Sequence, residues 1–113
     1  MIFYTDRFVP DHAAGCMRVW LIPIIFIRPA YKGDAGLLAH EQVHVAQAWR
    51  YVFPPIHSLR YKWSPEYRLM CEVEAYRKQL EFSPQHKLLY ATFIVNDYGL
   101  NVSFDEVLEL LGK

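Results

Sequence analysis

Cysteine is scarce. Cys16 and Cys71 are the only two in 113 residues. One pair makes no disulfide framework, so the chain must fold on its own core, and reduced thiols fit a cytoplasmic setting. Neither sign of charge prevails: 12 Lys and Arg face 12 Asp and Glu, for a formal net charge of zero. With no basic run, the electrostatic footprint of a nucleic-acid binder is missing, and so is a polybasic lipid anchor. Long apolar stretches are absent too. The longest covers residues 17–27 and is broken by Arg18 and Pro23, too short to cross a bilayer as a helix. The first residues include Asp6 and no apolar h-region, so no signal peptide is expected. Only five glycines occur, and neither a Ser/Gly linker nor an internal repeat divides the chain. One domain over residues 1–113 is expected.

What the chain does hold is apolar and aromatic. Hydrophobic residues make up 53% and aromatics 16%, enough to bury one core without staples and far from a disordered composition. The first third is β-rich, with short runs at residues 2–5, 17–22 and 24–28. Pro23 cannot donate to a ladder, so it marks an edge, a bulge or a break between strands. From Asp34, a plausible N-cap, the pattern turns helical: Leu37, Leu38, Val45, Ala48 and Val52 form an apolar stripe. Pro54-Pro55 reads as its stop, and a loop through His57, Tyr61 and Trp63 as the sequel. Ser64-Pro65 opens a helix to about residue 82, and Ser83-Pro84 opens another that Gly99 ends. Ser103 with Glu106 is a capping box before a short last helix. Strands first and helices after predict an α+β fold, a small antiparallel sheet of about three strands packed on three to four helices.

The informative segment is His40-Glu41-Gln42-Val43-His44, an H-E-x-x-H string inside the first predicted helix. His40 and His44 are four residues apart, so both imidazoles project from one face and can share one ion, for which Zn²⁺ is well suited. Glu41 lies about 100° further round the helix. It can stand beside the metal and take a proton from water as a general base. Glu41 also falls near the centre of the apolar stripe, where an unpartnered carboxylate is costly. A polar site cut into the core explains that position; polar residues that simply face water do not.

A zinc site needs a third protein ligand. A His six residues after His44 would extend the motif, but that position is Arg50. Glu72 and Glu74, on the next long helix, are the acidic candidates. Leu69, Val73, Tyr76 and Leu80 mark that helix's inner face, and Glu72 sits at its edge. Glu74 points away, with Lys78 four residues later at the spacing of a surface ion pair. Glu72 is therefore the expected ligand. His57, in the expected loop, and Glu74 are the rivals. Cys16 and Cys71 read as buried thiols, and His12 and His86 as surface residues.

His40-Glu41-x-x-His44 followed by Glu72-x-Glu74-Ala75 resembles the gluzincin zinc metallopeptidases. It is most similar to minimal phage and bacterial forms, including the proteases that cleave phage-immunity repressors. The resemblance covers about residues 22–78. It implies a zincin-like core, one Zn²⁺ per chain on His40, His44 and Glu72, Glu41 as base, and a peptide or protein substrate. Gluzincins also tend to polarise the substrate oxyanion with a His or Tyr. Of Tyr31, Tyr51, Tyr61 and Tyr76, only Tyr76 is placed by spacing, one turn after Glu72, and it is carried over as a catalytic candidate. Relatives often have Asp or Asn where Tyr76 stands, which is a departure. An extended substrate could add to the edge of the strand at residues 24–28, but plain sheet core is the preferred reading of that run.

Two functions follow as expectations. One is zinc-dependent peptide hydrolysis. The other is a non-catalytic zinc module of a larger assembly such as a phage particle or a toxin system, which the small size favours by leaving little room for a deep cleft. A metal-free helical domain with a chance motif is the third reading. Oligomeric state has no sequence signal.

Overall fold

The computed structural model describes residues 1–112. Three strands come first: β1 (Ile2–Tyr4), β2 (Gly15–Val19) and β3 (Pro23–Ile27). Pro23 is the first residue of β3, where its missing N–H is tolerated. Trp20 to Ile22 form the tight turn between β2 and β3, closed by Trp20 N–H donating to the Ile22 carbonyl at 3.1 Å.

The sheet order is β1-β3-β2. β2 pairs antiparallel with β3, but β1 runs parallel to it, with Ile2 opposite Ile25 and Tyr4 opposite Ile27. The sheet is therefore mixed, not antiparallel throughout. The reason lies in the connection at residues 5–14, which carries the chain past the far side of β3. Arg28 pins that connection: its guanidinium donates to the carbonyls of Ala13 at 2.8 Å and Pro10 at 3.0 Å, and to the Asp6 carboxylate at 3.0 Å. β3 is the central strand and is covered on both faces. Ile25 and Ile27 pack on Leu37, while Phe26 stacks with Phe3 and meets Phe8 at a tilt.

Five α-helices follow: α1 (Ala35–Trp49), α2 (Pro54–Trp63), α3 (Pro65–Leu80), α4 (Lys87–Asp97) and α5 (Phe104–Gly112). Asp34 caps α1 by accepting from Leu37 N–H at 2.9 Å. The additional helix is α2. Pro54 and Pro55 do not end a helix here; they occupy its first turn, where backbone N–H groups have no partner in any case. The expected loop through His57 and Tyr61 is thus helical. α1 itself ends at Trp49, so Val52 falls outside its stripe and is fully exposed.

Ser64 closes α2 and caps α3, accepting from Tyr67 N–H at 3.2 Å. Arg68 ties this corner to the next layer through the carbonyls of Tyr61 and Tyr98, each at 2.8 Å. Gly99 ends the α4 segment at φ +64°, the left-handed conformation that suits glycine. Ser103 caps α5, its Oγ accepting from Glu106 N–H at 3.1 Å and donating to the Glu106 carboxylate at 3.0 Å, a side-chain pair in place of the reciprocal backbone bond of a full capping box. A second apolar core joins α3, α4 and α5 through Val73, Tyr90, Ala91, Ile94, Val107 and Leu111. The architecture is α+β, a small N-terminal sheet packed on helices. No helix among the described residues is long and apolar enough to cross a membrane.

Candidate metal centre

Between the two apolar cores α1 packs on α3, and here the inner surface of α1 turns polar. His40, Glu41, His44 and Gln47 are all buried, as is Glu72 on the facing side of α3. Their polar atoms converge. His40 Nε2 and His44 Nε2 lie 3.2 Å apart. The Glu72 carboxylate meets both, Oε1 at 3.4 Å from His40 Nε2 and Oε2 at 3.2 Å from His44 Nε2. His40, Glu41 and His44 each offer a ligand atom within 4.8 Å of the others, so this buried group could hold a metal ion.

The spacing can be tested against an ion. A tetrahedral centre with bonds of about 2.0–2.1 Å separates its ligand atoms by about 3.3 Å. The two Nε2 atoms stand 3.2 Å apart, and each faces its own Glu72 oxygen, His40 Nε2 at 3.4 Å from Oε1 and His44 Nε2 at 3.2 Å from Oε2. Glu72 Oε1 is buried and has no hydrogen-bond partner among the described residues. A buried carboxylate oxygen without a donor is costly, and a cation relieves that cost. The donor set fits.

The surroundings fix the orientation of the His44 ring, whereas His40 Nδ1 is buried without a hydrogen-bond partner among the described residues. Gln47 Nε2 has two acceptors, Glu74 Oε1 at 2.8 Å and the Cys71 carbonyl at 3.0 Å. Its Oε1 must then face His44 Nδ1, 2.8 Å away, which donates to it. With the proton on Nδ1, His44 presents the Nε2 lone pair to the cluster. Tyr61 donates to Glu72 Oε2 at 2.6 Å and holds the carboxylate from the α2 side. Tyr76 packs edge-on against the His40 ring, with centroids 4.3 Å apart.

The electrostatics favour a positive charge in the middle. Burial opposes charging of His44, but the Glu72 carboxylate outweighs it and lifts the imidazole to about 9. Burial likewise opposes ionisation of Glu72, yet the two imidazoles hold its carboxyl well below the usual range. Burial pushes the Glu41 carboxyl up, the histidines opposing and Glu72 adding to the rise.

The remaining sequence candidates fall elsewhere. Glu74 does not pair with Lys78. It takes Arg50 and Gln47, and Lys78 reaches Glu81 at 3.3 Å. His57 is buried on α2 with Nδ1 at 2.8 Å from the Tyr67 hydroxyl, outside the converging set. Burial, helped by the nearby His44 and Arg50, lowers it to about 4 and keeps it neutral. The Tyr76 hydroxyl bonds Tyr98 at 2.8 Å and does not reach Glu72. Sequence reasoning missed Gln47 and left Tyr61 unranked. Gln47 was visible as a polar residue one turn after His44; Tyr61 was hidden because its segment read as a loop.

The cluster lies in a cleft of about 1080 Å³, walled by β2 on one side and by Tyr90 and Phe93 of α4 on the other. His12 and His86, expected as surface residues, are exposed and half-buried respectively, and both line its rim. β2 is the edge strand on this side; β3 is paired on both sides, as the sheet-core reading of that run expects, and offers no free edge to a substrate. No protein-family model matches the chain, and neither a curated protein nor a solved structure gives a match.

Proposed function

We propose that the chain is a gluzincin-type zinc peptidase acting in a reducing compartment on a peptide or protein substrate. The observation that carries the reading is the meeting of two Nε2 atoms and one carboxylate at 3.2–3.4 Å, with a second buried carboxylate, Glu41, beside them. In this reading His40, His44 and Glu72 hold the ion. Zinc there would supply Lewis-acid polarisation of a carbonyl and acidify a water. Glu41 takes the proton of the attacking water on its carboxylate. As the water oxygen bonds the carbonyl carbon and the C–N bond breaks, Glu41 returns that proton to the leaving nitrogen. Its neighbour Glu72 is committed to the two imidazoles and to Tyr61, which leaves Glu41 free for this role. Tyr76 acts as a wall for the His40 ring, a positioning role in place of the oxyanion role expected for it. The free edge of β2 along the cleft suits an extended peptide.

The rival reading is a structural zinc site. The near-complete burial of all four side chains favours it; the large cleft against them favours catalysis. Glu41→Gln separates the two. The catalytic reading predicts unchanged zinc content and hydrolysis of a peptide library reduced at least ~100-fold. Undiminished hydrolysis by this variant contradicts it, and a zinc-loaded wild type that cleaves nothing in the library favours the structural role.

A further inference from the structure

Among the described residues the solvent side of α2 has no partner. Val52 and Phe53 lead into the helix exposed, and Ile56, Leu59 and Trp63 continue along it at helical spacing, Leu59 at 59% and Trp63 at 75% exposure. At 100° per residue Leu59, Trp63 and Ile56 fall in one narrow arc, while His57 and Tyr61 occupy the opposite side, toward the metal cluster. The arc is bounded by a cation on each margin. Arg60 follows Ile56 on one side, its guanidinium donating to the Tyr51 hydroxyl at 2.9 Å and lying over the Tyr67 ring. Lys62 bounds the other, its Nζ 5.5 Å from the Trp63 ring centre. Residues 42–65 contain no Asp or Glu.

We propose that this face of α2 docks on an anionic lipid surface, lying in the plane of the interface without crossing it. An apolar stripe with basic residues on both margins and a tryptophan at its end is the pattern of an interfacial helix: the apolar arc enters the headgroup boundary and the cations reach the phosphates. A second copy fits poorly. A two-fold contact through this face sets one cationic margin, Arg60 or Lys62, against another, and the segment has no acid to meet them.

Cosedimentation of the full chain with vesicles of equal parts phosphatidylglycerol and phosphatidylcholine, beside vesicles of phosphatidylcholine alone, tests this. The proposal predicts at least ~10-fold tighter binding to the anionic vesicles, weakening with salt, and a blue shift of tryptophan fluorescence. Lys62→Glu should weaken binding by about fivefold or more, and Leu59→Ser combined with Trp63→Ser should abolish it, while circular dichroism and metal content stay unchanged. Glu41→Gln should bind vesicles like the wild type, which separates this outcome from the fate of the peptidase reading. Equal binding to both vesicle types, no binding at low salt, or binding indifferent to these substitutions overturns the proposal. So does a dimer in sedimentation equilibrium that Leu59→Ser dissolves, or docking to an acidic protein in place of the vesicles.

Discussion

At the residue scale the site depends on groups that hold the ligand side chains. The Tyr61 hydroxyl, 2.6 Å from Glu72 Oε2, is the only neutral donor on that carboxylate among the bonds described. Tyr61→Phe should weaken zinc affinity roughly 10–100-fold, measured by competition with a chelating dye, with the fold intact. The histidines also set the pH response of the metal-free chain. His44 is lifted from 6.5 to about 9 by the Glu72 charge against the effect of burial, so its stabilisation is complete below pH 6.5 and is lost as pH rises through 9. His57 is lowered from 6.5 to about 4, chiefly by burial, so its contribution is present above pH 6.5 and is lost as pH falls through 4. Stability with chelator present should therefore peak near pH 6.5 and decline on both sides, each limb on the order of 2–3 kcal/mol. Denaturation series across pH check this, and His57→Gln should make the acid limb shallower, leaving the part that Glu72 contributes below 4.5, with the alkaline limb unchanged.

At the element scale Ser64 is the joint between the helix that carries Tyr61 and the helix that carries Glu72. Ser64→Ala removes the α3 cap and should cost about 1 kcal/mol in urea unfolding. This corner also shows what the sequence makes legible. Caps and helical spacing reveal α1, α3, α4 and α5, because Asp34, Ser64, Ser103 and Gly99 act within a few residues of themselves. Wheel geometry alone sends Glu41 and Glu72 inward. Pro54-Pro55 misleads, since a proline pair can stop one helix or start the next, and only the packing of His57 and Tyr61 against α3 decides. The parallel pairing of β1 is equally hidden. It depends on Arg28 gathering the carbonyls of a distant connection, which no local pattern encodes. Glu74 is misread for a related reason: Lys78 is near in sequence, but Arg50 and Gln47 are near in space.

At the scale of the whole molecule, a polar cluster sits between two apolar cores, one under the sheet and one among α3, α4 and α5. Its members come from two helices, so an ion held by His40, His44 and Glu72 would bond the halves together beside an open cleft. Both the peptidase and the structural reading require that ion. The most direct test is anomalous diffraction at the zinc edge from crystals of protein purified without added metal. The account predicts one peak per chain, about 2.0–2.2 Å from His40 Nε2, His44 Nε2 and a Glu72 oxygen. Absence of a peak in protein that also takes up no zinc in solution, or a peak ligated by His57 or Glu74 in place of Glu72, contradicts it.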